Sequence, residues 1–228
     1  MQLSVQEVRK LDKAAVDELG LTGPILMENA ARGVCDAILR LPHHLKSIVL
    51  LCGPGNNGGD GFALARQLSA HGICPQVILL AAGKDLTPDA GFNRQVWQAA
   101  GGDVADELTP EEIGQRLTAL NNQDLIVDCL LGTGIRGAVR DPFRTVIAAA
   151  NSSEAPILAV DLPSGMDADS GTADGECIRA VQTVTFVAPK TGFAAAGADA
   201  FTGDVHVAHI GLPLHWVTRW VDDLRGKA

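Results

Sequence analysis

The sequence predicts an α/β fold: a mainly parallel sheet covered by helices on both faces, with two further helices at the N-terminus. Three observations predict it. Short, continuous apolar runs of four to six residues recur along the chain, as strands buried on both faces require. Stretches with helical spacing and capping signals separate them, so consecutive strands need right-handed crossovers. The chain has 228 residues, 46% hydrophobic and 20% charged, enough for a self-sufficient core in one domain.

Ser4 and Glu7 form a capping box ahead of Val5, Val8, Leu11 and Ala15, and Gly20 stops that helix. Gly23-Pro24 opens a second helix through Ile25, Ala30, Val34 and Ile38 that closes before Pro42. Ser47 to Cys52 (SIVLLC) is the first strand. The glycine-rich stretch 53–61 leads into a helix through Leu64 and Leu68 to Gly72. Gln76 to Leu80 is the second strand, and Thr87-Pro88 supplies an N-cap and a proline in the first helical turn. A short strand is expected near Asp103-Val104. Thr109-Pro110-Glu111-Glu112 caps a helix through Ile113, Leu117 and Leu120. Asp124 to Leu131 is a strand running into a loop, and Asp141-Pro142 starts a helix through Val146. Ile157–Val160, Val184–Val187 and Val205–Ile210 complete the strands, and 213–224 forms a closing helix.

Composition excludes several classes. No apolar run approaches the ~20 residues of a spanning helix, so no membrane association is expected. The first residues lack the basic and apolar regions of a signal peptide. A formal net charge of −9 argues against nucleic-acid binding, and any anionic ligand must be held by local groups. The five cysteines are scattered and never spaced as C-x-x-C, which suits reduced thiols in a cytoplasmic protein. His43, His44, His71 and His215 read as surface residues near helix ends or loops. His206 and His209 point to opposite faces of a strand and make poor joint metal ligands.

Ligands of open α/β sheets bind beyond the carboxyl ends of the strands, and four sequence features fall there. Gly53-Pro54-Gly55-Asn56-Asn57-Gly58-Gly59-Asp60-Gly61 contains a G-x-G-x-x-G match whose glycines are expected to permit positive φ and close ligand approach. The competing structural role is a tight turn with Asp60 as helix N-cap. The acid that usually binds ribose is missing after the next strand, which reads Leu79-Leu80-Ala81-Ala82-Gly83. Asp128 ends an apolar strand and precedes Gly132-Thr133-Gly134-Ile135-Arg136-Gly137. Asp161 follows four apolar residues and opens Leu162-Pro163-Ser164-Gly165. Lys190 follows another strand in Ala188-Pro189-Lys190-Thr191-Gly192. Asp128 alone reads equally as an acceptor for its own loop. Together the four features place Asn57, Asp60, Asp128, Asp161, Ser164 and Lys190 on one rim, which favours a small-molecule site with acid/base groups.

Leu26-Met27-Glu28-Asn29-Ala30-Ala31, the 53–61 loop, Asp128 to Gly134, Val160 to Asp167, Ala188 to Gly192 and Gly203-Asp204-Val205 occur in one order over almost the whole chain. In this combination the sequence resembles the NAD(P)H-hydrate epimerase (YjeF N-terminal) family. The resemblance implies a Rossmann-like three-layer α/β/α fold and an isomerase that interconverts the R and S forms of hydrated NADH and NADPH. It implies substrate contacts from Asn56, Asn57, Gly58, Gly59, Asp60, Gly132, Thr133, Gly134, Ile135, Arg136, Gly137, Ala138 and Asp161. It also implies a potassium ion among Asn57, Asp128 and Ser164, whose oxygen donors suit a hard cation. Asp161 is the expected acid/base and Lys190 its partner. A homodimer is expected, working with a hydrate dehydratase that is separate or fused. Relatives of the domain also serve as non-catalytic scaffolds; the intact acid and lysine positions count against that alternative here.

Overall fold

The computed structural model describes residues 1–41, 45–134 and 137–226; His43, His44, Ile135 and Arg136 lie outside the described residues. Six parallel strands form one sheet in the order β2-β1-β3-β4-β5-β6. They are β1 (Ser47–Cys52), β2 (Gln76–Leu79), β3 (Asp124–Cys129), β4 (Ile157–Val160), β5 (Gln182–Phe186) and β6 (Asp204–Ala208). The helices are α1 (Val5–Leu19), α2 (Gly23–Leu39), α3 (Asn56–Ala70), α4 (Pro88–Ala99), α5 (Pro110–Thr118), α6 (Phe143–Asn151), the single turn α7 (Asp199–Thr202) and α8 (Leu214–Gly226).

The period-two alternation of a strand assigns the layers. Ile48, Leu50 and Cys52 of β1 pack with α2, α3 and Trp97 of α4. Val49 and Leu51, one residue out of phase, pack with Ile113 and Leu117 of α5 and Val146 and Ile147 of α6. Leu11, Ala14 and Ala15 of α1 and Trp216, Val217 and Val221 of α8 form a separate cluster with Leu3, Ile210 and Leu212. The result is a Rossmann-like three-layer arrangement. Because β2 and β3 lie on opposite sides of β1, the chain reverses its direction across the sheet at β1 and β3, the place where such sheets open a ligand crevice. Among the described residues no helix is long and apolar enough to cross a membrane.

Capping chemistry sets the helix ends. The box at Ser4 and Glu7 is present, as is one at Thr109 and Glu112, and Gly20 closes α1 at φ 69°. The structure departs from expectation in five places. Helix α3 begins at Asn56 with Gly55 as its N-cap, so Asp60 is one turn inside the helix and caps nothing. Thr87 precedes α4 without capping it through its side chain, because its hydroxyl donates to Asn56 Oδ1 at 2.7 Å. The strand expected near Asp103-Val104 is a single bridge between Ala105 and Ile78. The edge strand β6 is exposed along most of its length, including Val205 and Val207, so the sheet is not covered everywhere. It ends at Ala208, which leaves His209 beyond it.

Candidate active site

A single cavity of about 930 Å³ runs along the carboxyl edge of the sheet, from Lys84 and Asp85 past Asn56 and Gly132 to Asp161 and Lys190. That size suits a dinucleotide-sized ligand better than a small metabolite.

At one end, β4 and β5 finish in the same unusual way. Asp161 has φ 65° and Val187 has φ 65°. Leu162 N–H donates to Val160 O at 2.8 Å, and Ala188 N–H donates to Phe186 O at 2.7 Å. Each strand therefore ends on a γ-turn of the rare positive-φ kind, centred on a non-glycine residue. For valine, branched at Cβ, such a φ is a genuine outlier. Strain of this kind persists only where the surroundings hold it, and it clusters at functional sites.

These turns bring Asp161 and Lys190 together. Lys190 Nζ lies 2.6 Å from Asp161 Oδ1 and donates to Thr185 Oγ1 at 2.8 Å. Lys190 is fully buried, so these partners are what make a cation tolerable there. The chain pins it from behind: Leu3 N–H donates to Pro189 O, and Thr191 N–H donates to Leu3 O, both at 3.0 Å. The Thr185 hydroxyl and Phe186 N–H also approach Asp161 Oδ1, at 3.2 and 3.4 Å. Among the described residues nothing donates to Oδ2, which leaves one carboxylate oxygen free toward the cavity. Two more acids face this pair. Asp60 of α3 has its carboxyl pushed well above the usual range by burial, with Asp161 and Asp12 adding to the effect. Asp12 of α1 is solvent-exposed on the cavity wall. Partial desolvation by the packing around it still raises its carboxyl to about 6, Asp161 adding and Lys190 opposing. Nothing in the sequence around Asp12 marks it; only the packing of α1 beside the sheet does.

In the middle, α3 points its first turn into the cavity with no side-chain cap. Its free N–H groups and dipole suit an anionic group. The glycines before it act differently from expectation, because none of Gly53, Gly55, Gly58, Gly59 and Gly61 has positive φ. A Cβ at Gly53 would collide with Leu130 O, one at Gly58 with Gly53 O, and one at Gly61 with Cys52 Sγ. They let α3 lie almost against β1 and β3. Gly55 is the exception: a Cβ there would meet nothing, and the residue lines the cavity.

Beneath the loop, Asp128 is fully buried. Ser164 N–H donates to its Oδ2 at 2.7 Å; Ser164 Oγ and Leu130 N–H donate to its Oδ1 at 2.6 and 3.1 Å. Burial outweighs these bonds and raises the carboxyl to about 6. Asn57 Nδ2 donates to Leu131 O at 2.9 Å, while Asn57 Oδ1 is buried with no partner. A buried amide oxygen without a donor, on a side chain bonded to the Leu131 carbonyl, fits a cation held by oxygens. Among the described residues no group of three or more His, Cys, Asp or Glu is arranged for a metal such as zinc.

Of the expected contact residues, Asn56, Asn57, Asp60, Gly132, Thr133, Gly134 and Asp161 line the cavity. Gly58 and Gly59 sit within α3 behind the wall. Asp128 and Ser164 lie behind it too, and Gly137 and Ala138 are exposed away from it. The motif at Leu26–Ala31 is partly cavity wall, through Leu26, Met27 and Ala30, and partly structural. Met27 packs on Gly59, Glu28 binds Arg66 and Gln67 of α3, and Asn29 Nδ2 donates to Ile210 O at 3.1 Å. Asp85, farther along the loop after β2, lines the cavity wall.

Fold and cavity together define an α/β protein built to hold a nucleotide-like ligand over a carboxylate–lysine pair. Residues 23–192 match the family described as YjeF-related protein N-terminus, and the chain belongs to that family. An NAD(P)H-hydrate epimerase of Rhodopirellula baltica is 40% identical over 93% of this chain and 85% of the relative. A bifunctional NAD(P)H-hydrate repair enzyme of Escherichia coli is 38% identical over 90% of this chain. This chain spans only 38% of that longer relative. The crystal structure of yeast ynu0, YNL200c, superposes with a TM-score of 0.74 at 25% identity, covering 92% of this chain and 87% of that one.

Proposed function

We propose that residues 1–228 act as one domain that interconverts the R and S forms of hydrated NADH and NADPH. The observation that carries this reading is the buried Lys190 holding Asp161, with one carboxylate oxygen free, at the end of a dinucleotide-sized cavity. The likeness to relatives named for this reaction, over most of the chain, supports it.

The chemistry needs proton transfer and no redox partner. C6 of the hydrated ring bears both a hydroxyl and the ring nitrogen. Protonating the hydroxyl lets it leave as water, with the nitrogen lone pair forming an iminium; water adding to the other face, with loss of a proton, gives the epimer. Asp161 moves the proton through Oδ2, while Lys190 and Thr185 fix its Oδ1. Asp12, from a different element, supplies a second carboxyl for the opposite face of the ring. The first turn of α3 and the Gly132–Gly134 loop hold the phosphates. We place a potassium ion at Asn57 Oδ1 with Asp128 and Ser164 beside it. There it would offset a buried carboxylate and order the loop. We further propose a cytoplasmic homodimer acting with a hydrate dehydratase; relatives named as bifunctional NAD(P)H-hydrate repair enzymes support a second activity beside this one.

The test supplies purified R-hydrate and follows S-hydrate with a coupled S-specific dehydratase. Conversion well above the spontaneous rate is expected. Conversion at the spontaneous rate alone would refute the reading.

A further inference from the structure

The far end of the cavity has a recognition site of its own. After β2 the chain makes a tight turn in which Lys84 N–H donates to Ala81 O at 3.0 Å, with Ala82 at φ 53° and Gly83 at φ 72°. Two successive positive-φ residues under such a bond define a rigid reverse turn, and alanine adopts that geometry only under constraint. The loop is tied to the glycine loop at two points: Thr87 N–H donates to Pro54 O at 3.0 Å, and the Thr87 hydroxyl donates to Asn56 Oδ1 at 2.7 Å. Lys84 and Asp85 are thereby held in the cavity wall, and among the described residues neither has an ion-pair partner. In a protein of net charge −9, a cavity-wall lysine without an ion pair, set apart along the rim from Lys190, is a local group that an added phosphate can use; Arg9 and Lys13 of α1 also line the cavity.

The strand order says which part of the ligand arrives there. Asp161 and Lys190 stand at the ends of β4 and β5, and the uncapped first turn of α3 stands at β1 and β3. Three strand spacings separate β4 from β2, roughly 14 Å along the rim. A dinucleotide with its ring over Asp161 and its diphosphate at α3 therefore extends its adenosine ribose past β1 to the end of β2. That position reads the ribose 2′ substituent in sheets of this kind.

We propose that Lys84 and Asp85 together read that substituent, Lys84 binding a 2′-phosphate and Asp85 accepting a hydrogen bond from a free 2′-hydroxyl. Adjacent residues of opposite charge let one cavity take both forms of the cofactor. The inference rests on the epimerase reading and adds to it the ligand's direction and the source of its tolerance.

The experiment measures NADP⁺ and NAD⁺ affinity by calorimetry, and kcat/KM on both hydrates, for the full chain and for Lys84→Ala and Asp85→Asn. Lys84→Ala should lower the NADP⁺/NAD⁺ affinity ratio about tenfold to a hundredfold, the worth of a hydrogen bond to a charged group. The effect should shrink at high salt. Asp85→Asn should raise the same ratio. Ratios that stay constant in both variants, with epimerisation intact, would overturn this inference alone. A wild-type chain that neither binds the nucleotides nor epimerises would overturn it together with the functional reading.

Discussion

The β1–β3 half of the sheet's carboxyl edge and its β4–β5 half meet the same ligand with opposite means. At β1 and β3, glycines remove side chains so that α3 can lie almost against the strands, and the backbone there has ordinary negative φ. At β4 and β5, aspartate and valine take positive φ, and the backbone is bent to aim one carboxylate at one buried lysine. The first half obtains its site from close packing, the second from strain. A region rich in glycine is thus not where the backbone is unusual, and the unusual backbone carries full side chains. Substitutions should separate the two: in the glycine half they act on folding, in the other half on chemistry.

The sharpest way to break this division is Asp161→Asn. The change keeps an oxygen for Lys190 but removes the carboxylate proposed to move the proton, so turnover should fall on the order of 10²–10⁴-fold. Some stability goes with the charge, so turnover is measured per folded molecule. Lys190→Met should fall by less if the lysine only tunes Asp161, and by a similar factor if it exchanges protons itself. Near-normal turnover in well-folded Asp161→Asn protein would make the strained end structural after all.

The converse test lies in the glycine half. Gly58→Ala drives a Cβ into Gly53 O, where only backbone can yield, so it should lose about 1–3 kcal/mol or more in thermal or denaturant unfolding. Gly55→Ala, with open space at its Cβ, should lose at most about 1 kcal/mol as a poorer N-cap. Its larger effect should be weaker nucleotide binding, because the new methyl occupies the cavity. Equal stability losses in the two variants would contradict the packing account. Potassium probes the layer between. Replacing it with a bulky organic cation should weaken substrate binding more than it lowers Tm. Indifference of activity to every monovalent cation would remove the ion from Asn57, Asp128 and Ser164.

How much of this was legible beforehand follows from the same division. Continuous apolar runs and capping signals located every strand and every long helix, because burial on both faces and helix ends both leave local sequence marks. Asp161 and Lys190 were found from their position after strands. Their γ-turns were not, because nothing in Val187 or Asp161 announces a positive φ. Asp12 was missed because its role comes from how α1 packs beside the sheet, not from its neighbours in sequence. Asp85 lies several residues beyond the end of β2, so its place in the cavity wall follows from the loop's path and not from strand position. The five glycines were noticed for freedom they do not use.

Asp12 yields the smallest effect and the finest test, since it belongs to neither half and depends on both. Its carboxyl moves from an ordinary value near 3.8 to about 6, because neighbouring groups partly desolvate it and Asp161 adds repulsion, while Lys190 partly offsets both. Asp60 stands on the same wall. A raised carboxyl means that the protonated form suits the folded state. Its contribution to stability is fully present below about pH 4 and is lost as pH rises through about 6. Asp12→Asn removes that penalty, so the variant should exceed wild type in Tm at pH 8 and match it at pH 4. If protonated Asp12 serves the second face of the ring, wild-type turnover should fall as pH rises through about 6. That limb should vanish in the variant, with a loss of roughly tenfold below it, equivalent to about 1.4 kcal/mol in the barrier. A variant with the higher Tm at pH 8 and an unaltered pH profile would leave Asp12 with a raised carboxyl but without work in the reaction. The proton transfers would then rest on Asp161 for both faces.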